Sequence, residues 1–117
     1  MNKHETINYL EMPARDLDAT KRFFQSVFQW TFTDYGPDYM SFSQSGISGG
    51  FYRSVLHSSV DRGAVLVVFY SERLAETQDK ITAAGGAICK PVFDFPGGRR
   101  FHFTDPNNNE FAVWSDK

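Results

Sequence analysis

At 117 residues, with 41% hydrophobic and 22% charged positions, the chain has the composition of one globular domain, long enough for a single core but not for two independent ones. A formal net charge of −2, with Lys and Arg scattered along the sequence, forms no basic patch, which excludes nucleic acid and anionic membrane surfaces as expected partners. No apolar run approaches the roughly 20 residues needed to cross a bilayer. Residues 1–5 lead straight into a strand rather than an apolar leader, so the expected location is cytoplasmic.

Ile7 to Met12 has strand propensity and is expected to stop at Pro13, which lacks a ladder donor. From Asp16 the period becomes helical: Leu17, Thr20, Phe24, Val27 and Phe28 share one face, with Asp16 placed to cap. The helix ends near Gln29. Trp30 to Thr33 begins a strand, Gly36-Pro37-Asp38 is a turn, and Tyr39 to Ser43 is a second strand. The glycine-rich run Ser43 to Gly50 lacks the Lys-Ser/Thr ending of a phosphate loop and opens no helix. It reads as a bend or bulge before Phe51-Tyr52-Arg53.

Leu56 to Gly63 is a polar linker, after which the order repeats. Ala64 to Tyr70 is the most apolar strand, expected to be covered on both faces. Ser71 is placed to cap a helix whose stripe is Leu74, Thr77, Ile81 and Ala84, ended by Gly85-Gly86. Ala87 to Phe93 reads as a strand interrupted at Pro91, and Cys89 within it as an inert buried thiol. Pro96-Gly97-Gly98 is a turn, and the alternating runs flanking Asp105-Pro106-Asn107-Asn108-Asn109 form a closing hairpin. The 12 Phe can fill the core or line a cavity.

Leu17 and Leu74, Thr20 and Thr77, Phe24 and Ile81, and Val27 and Ala84 are each 57 positions apart, as are Tyr9 and Leu66. The chain is therefore an internal duplication of a β-α-β-β-β unit, with modules at about 5–55 and 63–117 inside one domain spanning 1–117. The fold class is α+β. One helix cannot cover both faces of a four-stranded sheet, so the other face is expected to curl over a hollow closed by the second module, giving curved mixed sheets around a cavity.

Asp16-Leu17 through Phe23-Phe24, and Val27-Phe28-Gln29-Trp30, resemble the opening of vicinal oxygen chelate proteins, the glyoxalase/bleomycin-resistance/dioxygenase group. With Ala83-Ala84-Gly85-Gly86 and Asp105 to Asn109, the resemblance spans nearly the whole chain. Gln29 and Asn108 stand where Gly is usual, and Asn tolerates the left-handed conformation. The resemblance implies either metal-dependent lyases, isomerases and dioxygenases related to lactoylglutathione lyase, or binding proteins that confer antibiotic resistance. Its metal-ligand positions fall on Tyr9, Leu66, Ala112 and a place within Gly49 to Arg53, none of which is His, Asp or Glu.

The expectation is therefore a homodimer that binds a small molecule in the cavity between modules, with no metal and no other cofactor. Sequestration or resistance is the implied role; a metal-dependent enzyme and a non-catalytic structural or regulatory dimer are the alternatives. Candidate ligand-binding residues are Tyr9, Glu11, Phe51 and Arg53 from the first module, and Leu66, Arg100, His102, Ala112 and Trp114 from the second. Glu11 is a base, a ligand acceptor or a structural partner of Arg53 or Arg100, and a metal-free enzyme would use Glu11 or His102 as its acid–base group. Arg100 and His102 share a strand face opposite Phe101 and Phe103, and either pair can face the hollow. Trp114 is a stacking wall or an ordinary core ring.

Overall fold

A computed structural model describes residues 2–117. The first module consists of β1 (Tyr9–Ala14), α1 (Leu17–Phe28), β2 (Thr31–Asp34), β3 (Tyr39–Ser43) and β4 (Ser48–Arg53). The second repeats it with β5 (Val67–Tyr70), α2 (Leu74–Ala83), β6 (Ala87–Phe95), β7 (Gly98–Thr104) and β8 (Glu110–Ser115). Between them the linker carries one 3-10 turn at Val60–Arg62. The two sheets have the same topology, β1-β4-β3-β2 and β5-β8-β7-β6, with the outer first strand parallel to the last and the remaining pairs antiparallel. Leu17 and Leu74 each open their helix, so the duplication inferred from the sequence is the architecture of the fold.

Helix α1 begins where Asp16 Oδ1 accepts the Ala19 N–H and ends at Gln29, whose backbone takes the left-handed conformation (φ 56°, ψ 36°). Asn108 holds the same conformation (φ 67°) in the closing hairpin. Ser71 does not cap α2, which starts after Arg73; its hydroxyl lies too early and instead accepts the Arg73 N–H at 3.0 Å.

Edge positions correct the expected strand limits. β1 continues through Pro13 to Ala14, and β6 through Pro91 to Phe95 with register shifts on either side of Lys90. Both are edge strands, where a missing N–H faces no neighbour. β5 is an edge as well, and its outward Val68 and Tyr70 remain 43% and 47% exposed rather than covered. Gly49 and Gly50 sit inside regularly paired β4, not in a bulge. A Cβ at Gly50 would run into the ring and hydroxyl of Tyr39, so glycine is needed there for close approach.

One core serves both modules. Phe24 on α1 stacks on Trp30 at 4.4 Å and lies 5.7 Å from Phe51 of the first sheet and 5.4 Å from Phe111 of the second. Phe28 stacks on Phe69 of β5 at 4.2 Å. Helix α1 is thus held between the two sheets. Phe23, Phe24, Phe51, Phe101, Phe103 and Phe111 are all fully buried, which assigns much of the aromatic content to packing; each such ring contributes about 1.5–3 kcal/mol of burial free energy.

The Asp105–Asn109 turn does more than reverse the chain. Buried Asn109 donates from Nδ2 to the Pro13 carbonyl at 2.6 Å and accepts the Ser58 N–H at 2.8 Å. Asn107 donates to the Asp16 carbonyl and the Thr20 hydroxyl and accepts the Asp16 N–H. The second module is thereby pinned to the start of α1. No helix of the described residues is long and apolar enough to cross a membrane.

Candidate functional site

Because both sheets turn their helix-side faces to the shared core, each presents its other face outward. On the first sheet Tyr9 and Glu11 alternate with core-facing Leu10 and Met12, and both point outward and exposed. Tyr39 on β3 joins them: its hydroxyl meets that of Tyr9 at 2.5 Å and donates to Glu11 Oε2 at 2.9 Å. Burial, followed by the hydrogen bonds and negative charges of Tyr9 and Glu11, holds the Tyr39 pKa far above the ordinary tyrosine value. Glu11 is paired with a tyrosine, not with Arg53 or Arg100 as the structural alternative supposed.

Phe51 and Arg53 do not belong to this face. Phe51 alternates with Gly50 and Tyr52 and is fully buried beside Phe24 and Phe42. Arg53 donates to Asp38 Oδ1 and to the carbonyls of Pro37 and Arg15, which clamps it to the β2–β3 turn at the end of the strand. Tyr39 was missed by the sequence reading, although Gly50, diagonal to it in β4, is the signal that a ring crosses that strand.

On the second sheet Phe101 and Phe103 are in the core, so Arg100 and His102 lie on the outward face. His102 Nδ1 donates to Glu110 Oε2 at 2.7 Å, and Glu110 Oε1 accepts the Val60 N–H at 3.0 Å. Burial works against the Glu110 carboxylate, but those two hydrogen bonds and the His102 charge outweigh it and leave its pKa below the ordinary value. Among the described residues, Arg100 Nε and His102 Nε2 are buried without a hydrogen-bond partner. The Phe93 ring lies 5.1 Å from Lys90 Nζ and 5.4 Å from the Arg100 guanidinium. Trp114 is half-buried, edge-on to Tyr70 at 5.1 Å and 6.1 Å from Phe95. Lys90 and Phe93 were not foreseen, because the register shifts of β6 hide which of its side chains face outward. Cys89 is exposed on the same edge strand, not buried; desolvation and the Glu110 charge still raise its thiol pKa and keep it a poor nucleophile.

The resemblance places metal ligands at Tyr9, Leu66 and Ala112. Ala112 sits in register between Val68 and His102 and is fully buried, Leu66 is half-buried hydrocarbon, and Tyr9 is already hydrogen-bonded. Among the described residues no three His, Cys, Asp or Glu side chains converge as cation ligands. This donor set does not fit a divalent cation.

A cavity of about 390 Å³ does lie between the modules, walled by Leu10, Met12, Trp30, Phe42, Val67 and Phe69 among others. None of the nine candidate residues lines it. Aromatic walls are there, but of the polar anchors Tyr9, Glu11, Arg100 and His102 lie on the outward faces and Arg53 at the β2–β3 turn, since the helix-side faces are consumed by the core. The outward faces carry Tyr9, Glu11 and Tyr39 on one sheet and Arg100, His102, Ala112 and Trp114 on the other, with no hydrogen bond between the two sets among the described residues.

The profile of the Glyoxalase/Bleomycin resistance protein/Dioxygenase superfamily matches residues 6–113. Comparison with curated proteins finds no match. Among solved structures, a glyoxalase/bleomycin resistance protein/dioxygenase family enzyme from Burkholderia phytofirmans superposes with a TM-score of 0.78 at 16% identity, covering 95% of this chain and 98% of that one. The fosfomycin resistance protein FosX from Listeria monocytogenes, solved as a mutant with Mn(II) and 1S,2S-dihydroxypropylphosphonic acid, gives 0.76 at 22% identity over 97% of this chain and 90% of that one. FosX from Mesorhizobium loti gives 0.76 at 16% identity over 98% and 95%.

Proposed function

Since the chain belongs to the Glyoxalase/Bleomycin resistance protein/Dioxygenase superfamily, we propose that it binds an anionic or carbonyl-bearing small molecule without a metal, on its outward sheet faces. The observation that carries this reading is the second sheet: Leu66 and Ala112 supply no cation ligand, while Arg100 and Lys90 lie against the Phe93 ring and Arg100 stands in register with Trp114. A guanidinium and an ammonium beside aromatic surface suit a planar carboxylate or phosphonate, the charge held by hydrogen bonds and the body by stacking. Sequestration of such a compound, or resistance to it, is the role favoured.

The binding unit is a homodimer. In one chain the two outward faces back onto the same core, so the wall opposite each face comes from a second copy. Exposed Val65, Val68 and Tyr70 along the open β5 edge, with Val55, Leu56 and Val60 in the linker, form the apolar surface that such pairing would cover.

Elemental analysis after equilibration with Mn(II), Ni(II) or Zn(II) and dialysis tests the metal-free reading, and is expected to find no stoichiometric metal. Benzoate titrated against Trp fluorescence and NMR is expected to bind the wild type and to lose roughly tenfold in affinity with Arg100→Ala. Stoichiometric metal that raises affinity, or benzoate binding indifferent to Arg100, overturns it. Light scattering that gives a monomer at all concentrations overturns the dimer.

A further inference from the structure

We propose that the Tyr9, Tyr39 and Glu11 chain on the first sheet is a subsite that reads hydrogen-bond donors, and that it takes the ammonium end of a ligand whose other end is anionic. This deepens the binding reading and rests on it.

The direction of the chain follows from counting protons. A tyrosine hydroxyl has one proton to donate and lone pairs to accept with. The Tyr39 proton goes to Glu11 Oε2, so the short bond between the two hydroxyls is donated by Tyr9. Both hydroxyl protons are then spent inward. What remains for a ligand is the outer lone pair of Tyr9, which is 42% exposed, and Glu11 Oε1, which has no partner among the described residues. Every open position is an acceptor and the net charge is negative. The subsite is therefore complementary to an N–H or O–H donor, best of all a cation, and repels a carboxylate.

The subsite is built rather than incidental. Tyr39 reaches Glu11 only by lying across β4 at Gly50, where any Cβ would collide with its hydroxyl, and Glu11, Gly50 and Ser41 stand in register across three strands. The raised pKa of Tyr39 keeps its proton in place at neutral pH, so the polarity does not reverse. The second sheet has the opposite polarity, with Arg100 and Lys90 presented outward. In the homodimer proposed above, a ligand held between the first sheet of one copy and the second sheet of the other carries an ammonium and an acid.

Benzylamine and benzoate, titrated separately into protein labelled at the tyrosine ζ carbons, test this. Benzylamine is expected to shift the Tyr9 and Tyr39 signals saturably while benzoate leaves them unmoved, and Glu11→Gln is expected to weaken benzylamine roughly tenfold or more. Tyr39→Phe keeps the ring over Gly50 but breaks the chain, and is expected to weaken benzylamine several-fold, a check that stands even where Glu11→Gln unfolds the protein. Benzoate shifting those signals as strongly as benzylamine, or benzylamine binding unchanged in both variants, overturns the proposal. Benzoate held at Arg100 with benzylamine inert at Tyr9 sinks this inference alone. Benzylamine bound at Tyr9 with benzoate inert at Trp114 sinks the anion reading and leaves this one standing.

Discussion

On the first sheet's outward face, exposed Tyr9 and Glu11 are linked through half-buried Tyr39 by hydrogen bonds, and among the described residues no buried side-chain polar atom of that face is left unpaired. On the second, His102 is 3% exposed with its Nε2 lacking a protein partner, and the Arg100 Nε is in the same position. The sheets share strand order, and differ in register only at the β6 edge, yet the chemistry of their outward faces is unlike. Duplicated modules must keep their helix-side faces complementary to one core, because each lost methylene there costs stability. Their outward faces are free of that constraint, and there the copies have diverged into an acidic, acceptor-rich surface and a cationic, aromatic one.

The comparison assumes a single core behind both faces, and Phe24→Ala is the strongest way to break it. Phe24 touches Phe51 of one sheet and Phe111 of the other, so its truncation is expected to cost about 3–5 kcal/mol in urea unfolding and to weaken both modules in one transition. Two separated transitions would show that the modules do not share that core.

A second effect concerns the turn that pins the second module to the first. Burial pushes the Asp105 pKa up from 3.8 to about 6, despite the stabilising N–H donors of Asn109 and Asn107. A folded-state pKa above the unfolded one means that the group favours folding most in acid, and that this advantage is lost as pH rises from about 4 through 6, by roughly 3 kcal/mol. Glu110, with its pKa lowered, acts in the opposite sense, its contribution fading as pH falls. Stability of the wild type relative to Asp105→Asn, followed by thermal melts between pH 4 and 7, is expected to decline with rising pH. A flat difference would place the Asp105 charge in a better solvated setting than its burial indicates.

The two acids then separate the faces directly. Glu110→Gln weakens a mostly buried charge-assisted pair and is expected to cost about 1–2 kcal/mol, whereas Glu11→Gln on its exposed face stays within about 0.5 kcal/mol. Equal costs in chemical denaturation would erase the contrast. The smallest expected effect is a gain: Gln29→Gly relieves a left-handed residue at the end of α1, for about 1 kcal/mol of added stability by the same measurement.

Much of the fold was legible because it rests on local periodicity. The stripe Leu17, Thr20, Phe24 and Val27, the 57-residue offset and the left-handed Asn108 all depend on near neighbours in sequence. The candidate site was less legible. Tyr9, Glu11, Arg100 and His102 were expected to line the inter-module hollow, the last two as one of two alternatives, and they stand on the outward faces instead; Phe51 was assigned to the wrong side of β4 and Arg53 to a ligand rather than to Asp38. Pro13 and Cys89 were misread for a common reason: whether a strand lies at an edge is settled by its neighbours in space, and edge position both tolerates proline and exposes a thiol.

By itself the sequence determined the two modules, their helices and the hairpin turn, since these follow from residue type and spacing. Only the tertiary structure decided that α1 lies between the sheets, that the polar candidates therefore turn away from the inter-module cavity, and that Tyr39 links Tyr9 to Glu11 across Gly50. Those outcomes depend on which of two faces each sheet spends on the core. Alternation along a strand separates its two faces without stating which one is buried.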